Sequence, residues 1–189
     1  GLLTQAGYLT IKAVEYGNTV FLDYPNLEVK RAMAQLYTEL LLKGKVAGQV
    51  GAGNIVQVLR NGDPEEVFHT LNRLFTAIDY QNYPVADEAS VRAFIQVYLA
   101  GAGLDPKVER HNAHGRSDLE VKVGVRLWVF ELKTAHEGKG ADTALQEAID
   151  QLTSRRYGEQ DAAEKLERVA LVFSLSERRF LRWTAVSKT

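Results

Sequence analysis

The feature that most restricts the fold is the apolar run RVALVFSL at residues 168–175. An unbroken run of this kind is typical of a β-strand covered on both faces, because a half-exposed strand alternates apolar and polar residues. It lies between an amphipathic helix, ADTALQEAIDQLTSRRY, and a last strand, RFLRWTAV. Three strands precede that helix, PKVERH, SDLEVKV and RLWVFELK, and the helix DEASVRAFIQVYLAGAG precedes them. This order predicts an α/β layer fold with a mixed central sheet.

The first 84 residues are predicted to form an extension of a β-hairpin and helices. YLTIKAV and TVFLDY favour strands on either side of Tyr16-Gly17-Asn18, which has the composition of a hairpin turn. Three helices follow, in LEVKRAMAQLYTELLLKG, NIVQVLRNG and EEVFHTLNRLFTAI. The glycines of GQVGAGN follow a helix and lack the GK[ST] ending of a phosphate-binding loop, so we interpret them as a linker. The second domain is predicted to cover residues 85–189. Because the chain opens on Gly1 rather than Met, we expect it to be part of a longer polypeptide.

Composition narrows the function only slightly. Lys plus Arg number 23 and Asp plus Glu number 24, so an anionic partner would have to meet a local patch rather than a net charge. There is no cysteine, which excludes disulfides and thiolate metal sites and fits a reducing compartment. No apolar run approaches the roughly 20 residues that span a bilayer, and no secretory signal is visible. These observations favour a cytoplasmic protein without a membrane segment.

Three charged residues on two neighbouring strands indicate a possible active site. Side chains alternate along a strand, so Glu131 and Lys133 share one face while the apolar residues around them point to the other. A hairpin that turns at residues 124 and 125 brings Asp118 opposite Glu131, with Cβ atoms about 5 Å apart. Two carboxylates that close repel each other unless a shared proton or a divalent cation neutralises them. A hard ion such as Mg²⁺ or Mn²⁺ suits carboxylate ligands, and Lys133 could then orient a water or stabilise charge on a phosphate.

On these residues the chain resembles a known family. SD, a gap of 12 residues and ELK resemble the D…(D/E)xK signature of the PD-(D/E)XK nuclease superfamily. The element order also matches the α-β-β-β-α-β core of that superfamily, which is a restriction-endonuclease-like fold. More narrowly, the chain resembles a prokaryotic branch in which such a domain lies C-terminal to an AAA-ATPase-like domain. The matching features are TQAGYLTIK, YPNLEVKRAM, GR-DLEV, VFELK and AL…AIDQLTSRRY. This resemblance covers nearly the whole chain and implies that residues 1 to about 45 close off an ATPase-like region upstream.

The resemblance also implies roles for individual residues. Asp118 and Glu131 would bind the metal, and Lys133 would be the catalytic lysine. Glu88, on the first helix of the core, would join the site. It is equally well explained as an acidic partner of the dipole of its helix.

Further residues would complete the site on the substrate side. Gln151 and Tyr157 match a Q-x5-Y element on the helix after the lysine strand. Gln151 would hydrogen-bond Lys133 or a phosphate, and Tyr157 would stack on a base or simply pack. Local basic clusters either follow the phosphate backbone or are solvated surface. They are formed by Arg155 with Arg156, and by Arg178, Arg179 and Arg182.

Other charged residues have ordinary explanations. A Glu-x-Lys pair alone is common on solvated strands. The proline of the superfamily's name is missing, and Ser117 stands in its place. Glu120 lies on the same face as Asp118, and we expect it to be solvated or ion-paired. Residues with weaker functional signals, which we interpret as loop or strand surface, are Glu109, His111 and His114.

We therefore predict a metal-dependent nuclease that hydrolyses phosphodiester bonds of nucleic acid, DNA rather than RNA, with Mg²⁺ or Mn²⁺. No helix combines Arg, Asn and Gln in a way that indicates groove readout, so weakly specific or structure-directed cleavage is expected. Two other hypotheses stay open. The chain could be a catalytically inactive module of the same fold that binds nucleic acid or regulates its ATPase partner. It could also be an enzyme that acts on other phosphoesters, such as nucleotides. The sequence indicates no oligomeric state.

Overall fold

The structure, a computed structural model, describes residues 1–15, 19–112, 115–136, 140–154 and 165–186. Its N-terminal elements are α1 (Leu2–Gln5), β1 (Thr10–Glu15), β2 (Thr19–Asp23), α2 (Leu27–Leu41), α3 (Ile55–Asn61) and α4 (Pro64–Thr76). Strands β1 and β2 pair antiparallel as predicted, although the predicted turn Tyr16–Asn18 lies outside the described residues. Helix α2 begins after Asn26, whose side chain accepts a hydrogen bond from the amide of Val29. A short 3₁₀ helix at Ala47–Val50 occupies part of the predicted linker.

The second half follows the predicted order of elements. Its elements are α5 (Glu88–Gly101), β3 (Lys107–Asn112), β4 (Gly115–Val123), β5 (Arg126–Ala135), α6 (Ala141–Ser154), β6 (Lys165–Ser174) and β7 (Arg179–Ala185). The five strands form one sheet in the order β3-β4-β5-β6-β7. Strands β5 and β6 are parallel and the other neighbours are antiparallel. The sheet is therefore mixed, and the predicted α/β, restriction-endonuclease-like fold class is confirmed.

Strand β6 is covered on both faces, as its apolar run predicts. Val169, Leu171 and Phe173 lie in the main core, whereas Ala170 and Val172 pack in two smaller clusters with residues of α6. All five side chains are fully buried. This burial explains why the strand lacks the alternation of a half-exposed strand.

The main core joins the sheet to helices on both sides of the predicted boundary at residue 84. Buried residues of α3 and α4 belong to the same cluster as those of α5 and the sheet. The indole of Trp128, on β5, donates a hydrogen bond to the carbonyl of Leu59, on α3, at 2.9 Å. The division of the chain at residue 84 stays a prediction, and it does not coincide with a gap in the core.

The hairpin of β4 and β5 has the predicted register. Its pairs run from Val123↔Arg126 to Leu119↔Phe130, which leaves Gly124 and Val125 as a two-residue turn. Gly124 has a φ of 59°, and glycine is the usual residue at the first central position of a type II′ hairpin turn.

The described helices include no candidate for a membrane span, since none combines the required length with sufficient apolarity.

Candidate active site

Asp118 lies at the end of the paired part of β4, level with Glu131 on β5. The last pair of the register is Leu119↔Phe130, and Asp118 is one step beyond it. Asp118 is 8% exposed. Its Oδ2 accepts a hydrogen bond from the backbone amide of Leu132 at 2.8 Å, and its Oδ1 lies 3.5 Å from Nη1 of Arg92. The carboxylate is therefore held from two sides, by a neighbouring strand and by α5.

Glu131 is the most deeply buried acid of the site, at 2% exposure. Its Oε1 accepts a hydrogen bond from Nζ of Lys133 at 3.2 Å. Its Oε2 is buried and has no hydrogen-bond partner among the described residues. Burial raises the pKa of Glu131 to about 7, with a further increase from the charge of Asp118 and a partial decrease from that of Lys133. Burial and the neighbouring carboxylate of Asp118 thus both disfavour the ionised form of Glu131.

Lys133 links strand β5 to helix α5. Its Nζ lies 3.2 Å from Oε1 of Glu131, 3.1 Å from the carbonyl oxygen of Leu132 and 4.0 Å from Oε2 of Glu88. The predicted sharing of one face by Glu131 and Lys133 agrees with this contact.

Glu88 satisfies both explanations that the sequence allows. It is the first residue of α5, after the N-cap Asp87, and so lies at the positive end of the helix dipole. It is also within 4.0 Å of Lys133. Burial raises the pKa of Glu88, the charge of Lys133 lowers it, and the charge of Asp118 raises it again.

Of the three residues predicted on the substrate side, the structure describes only Gln151. Gln151 lies on α6 and is half-buried. Its side chain makes no hydrogen bond with the described residues, and the predicted bond to Lys133 is not formed. Tyr157 and Arg155 lie outside the described residues. The roles of all three stay predictions.

Glu120 is buried rather than solvated, so the solvated half of the expectation is wrong, and an ion pair of Glu120 stays a prediction. It is 4% exposed, and its Oε1 accepts a hydrogen bond from Oγ of Ser117 at 2.7 Å. The serine that replaces the proline of the superfamily's name therefore has a structural role, because its hydroxyl satisfies a buried carboxylate. Lys122, on the same strand, is exposed.

Two parts of the site were missed by the sequence analysis. Arg92 is four residues after Glu88 on α5, and residues with this spacing share one face of a helix, so the signal was present. The amide of Leu132 was missed because backbone groups carry no sequence signal.

The acids could hold a divalent cation only with help from other ligands. No group of three or more His, Cys, Asp or Glu side chains is arranged to hold a metal ion in the described ranges. Asp118 and Glu131 would supply two carboxylates, and Oε2 of Glu131 is an orphaned buried oxygen that a cation would satisfy. Carboxylates completed by backbone carbonyl, water and substrate oxygens are the ligand set that Mg²⁺ prefers. The residues present therefore fit the metal.

The basic cluster around β7 favours a solvated surface over a phosphate track. Arg179 pairs with Glu177 at 2.6 Å, and Arg182 pairs with Asp142 at 2.9 Å. The guanidinium of Arg178 lies 4.8 Å from the centre of the ring of Tyr80. The side chains of Glu109 and His111, and the whole of His114, lie outside what the structure describes.

Comparison with known proteins gives two matches. A family model described as the PD-(D/E)XK nuclease superfamily matches residues 86–183, just over half of the chain. An uncharacterized protein in the vnfD 5' region of Azotobacter chroococcum mcd 1 is 29% identical over 190 residues, which covers 94% of this chain and 35% of the relative. The chain thus spans about a third of the length of the curated relative that it matches.

Proposed function

Since this chain belongs to the PD-(D/E)XK nuclease superfamily, we propose that it is a metal-dependent nuclease that hydrolyses the phosphodiester bonds of nucleic acid. The observation that carries the proposal is the orphaned Oε2 of Glu131, whose carboxylate is close enough to that of Asp118 for the two charges to repel each other. A buried oxygen without a partner is costly in a protein that only has to fold. A divalent cation would remove that cost and the repulsion between the carboxylates.

Each residue would have a distinct task. Asp118 and Glu131 would hold Mg²⁺ or Mn²⁺, which supplies Lewis acidity to the phosphate and lowers the pKa of a bound water. Lys133 would orient the attacking water or donate hydrogen bonds to the phosphate oxygens, where negative charge develops. Glu88 would accept the proton that the water loses as its oxygen bonds to phosphorus and the bond to the leaving oxygen breaks. The raised pKa of Glu88 supports that task.

DNA is the proposed substrate, and RNA is the alternative that the assay distinguishes. Gln151, Tyr157 and Arg155 are proposed to contact the substrate from α6 and beyond. Weak sequence specificity is proposed because no helix combines Arg, Asn and Gln in a way that indicates groove readout. The absence of cysteine supports a reducing location such as the cytoplasm.

Metal-dependent cleavage tests the proposal directly. Purified protein would be incubated with single-stranded DNA, duplex DNA, RNA and mononucleotides, in Mg²⁺, in Mn²⁺ and in EDTA. We expect nucleic acid cleavage that EDTA abolishes and that Asp118→Ala lowers by about 10³-fold, because the variant loses a metal ligand. Asp142→Ala, which removes an acid that is 82% exposed on α6, is the control and should retain activity.

The other outcomes separate the alternatives. Full activity of Asp118→Ala or cleavage in EDTA would contradict the proposed site. A folded wild-type protein that binds nucleic acid without cleaving it would favour the inactive module. Hydrolysis of mononucleotides alone would favour an enzyme for small phosphoesters.

We also propose that an ATPase-like region of the same polypeptide covers the N-terminal hairpin. Every described residue of β1 is exposed, as is most of β2, and the apolar side chains among them include Ile11, Val14, Val20 and Phe21. A two-stranded hairpin is marginal by itself in water, and an exposed apolar patch marks an interaction surface. The greater length of the Azotobacter relative supports a further region in proteins of this kind.

Amide hydrogen exchange can test this covering. In a polypeptide extended upstream, amides of β1 and β2 should exchange at least about tenfold more slowly than in the 189-residue chain, because burial suppresses local opening. Amides of residues 169–173 on β6, whose side chains are fully buried, serve as the internal control. Equal exchange of the hairpin in both proteins would contradict the proposal.

A further inference from the structure

Arg92, on helix α5, places a positive charge next to Asp118, which is a proposed metal ligand. Its Nη1 lies 3.5 Å from Oδ1 of Asp118, and the two side chains are 15% and 11% exposed. The other oxygen of Asp118 is already engaged by the amide of Leu132. Oδ1 is the oxygen of Asp118 that does not accept the backbone hydrogen bond of β5, and a guanidinium already lies beside it.

We infer that Arg92, whose guanidinium lies beside Oδ1 of Asp118, lowers the affinity of the site for the metal. This inference rests on the proposed metal site at Asp118 and Glu131. A cation that approaches Oδ1 meets the positive charge of Arg92 at short range, and low local dielectric strengthens that repulsion. It also has to replace the contact between Arg92 and Asp118.

Arg92 contributes less to fixing the position of Asp118 than the backbone of β5 does, so its main effect is on an approaching cation. The bond from Leu132 is 2.8 Å long and anchors the carboxylate to β5, whereas the contact with Arg92 is 3.5 Å long. Removal of the guanidinium should therefore leave Asp118 close to its present position. What the site loses is mainly the competing charge.

The test compares Mn²⁺ affinities of metal-free wild type and Arg92→Gln, measured by calorimetry and by the electron paramagnetic resonance of free Mn²⁺. We expect Arg92→Gln to bind Mn²⁺ about fivefold more tightly, the size of effect of a partly buried ion pair. Arg92→Lys retains the charge and should bind close to wild type. Arg92→Met, neutral and of similar length, replaces Arg92→Gln if circular dichroism shows that the glutamine variant does not fold.

Arg126→Gln is the matched control. Arg126 pairs with Glu167 on β6, is 16% exposed and lies outside the site, so its loss should lower stability without changing Mn²⁺ affinity. Unchanged or weaker Mn²⁺ binding by neutral variants at position 92 would overturn the inference. A folded wild-type protein that binds no Mn²⁺ would instead overturn the metal site itself, and with it the proposed function.

Discussion

Glu131→Gln is expected to abolish metal-dependent cleavage and at the same time to stabilise the metal-free fold. Cleavage should fall by about 10³-fold because a neutral amide is a poor ligand for a hard cation. The free energy of unfolding at pH 8 should rise by about 2 kcal/mol, because the variant removes a buried charge that has an unpaired oxygen. A residue that weakens the fold and is required for catalysis is what a functional site predicts.

The gain in stability should depend on pH with a defined sign. The folded protein raises the pKa of Glu131 from 4.5 to about 7, so the folded state binds the proton more tightly than the unfolded state. The stability from that proton is fully present below pH 4.5 and is lost as the pH rises through about 7. The loss amounts to about 3 kcal/mol for a shift of this size. Glu131→Gln should show no such loss, so the two stability curves should separate between pH 4.5 and 7.

Urea unfolding in EDTA, followed by tryptophan fluorescence at several pH values, measures this difference. Glu167→Gln is the control, because Glu167 is ion-paired with Arg126 and its neutralisation should not stabilise the fold. Parallel stability curves for wild type and Glu131→Gln would show that folding does not raise the pKa of Glu131.

Lys133→Ala is expected to lower cleavage by about 10³-fold while metal binding is retained. Lys133 is the cation closest to Glu131 in the described site, so it can stabilise charge at the phosphate but is not itself a metal ligand. Its removal should also raise the pKa of Glu131 further, because the charge of Lys133 lowers that pKa in the wild type. Single-turnover cleavage and Mn²⁺ titration separate the two effects.

Two variants sharpen this prediction. Lys133→Arg keeps a cation and should recover part of the cleavage rate, whereas Lys122→Ala changes an exposed lysine of β4 and should leave the rate unchanged. If Lys133→Ala lost Mn²⁺ binding along with cleavage, Lys133 would be a structural support of the metal ligands rather than a catalytic residue.

The fold was largely predictable because local signals agree with one another. The apolar run of β6 predicted burial on both faces, and Gly124 predicted the turn that sets the register of β4 and β5. The stretch LEVKRAMAQLYTELLLKG contains α2, but α2 ends at Leu41, three residues before the end of that stretch. Helix ends are poorly encoded, since the last turn depends on which carbonyls find other partners.

The position of Asp118 relative to Glu131 was predictable from strand alternation and the hairpin, but the environment of the site was not. Glu120 is buried and accepts a hydrogen bond from the hydroxyl of Ser117, which no periodicity reveals. The approach of α5 to Asp118 depends on tertiary packing, so the contact of Arg92 could not be read from spacing alone. The catalytic roles of these residues stay predictions until variants are measured.

The parallel pairing of β5 with β6 has a consequence for when the candidate site can form. Glu88, Asp118 and Lys133 have all been synthesised once residue 133 is added. Strand β5 nevertheless lacks its parallel neighbour, β6, until residues 165–174 have left the ribosome. Helix α6, which covers one face of β5, is also made after the site residues. A nascent chain that ends at residue 133 therefore carries Glu88, Asp118, Glu131 and Lys133 while it still lacks the strand and the helix that pack against β5. We expect the arrangement of these residues to form only after β6 has paired with β5.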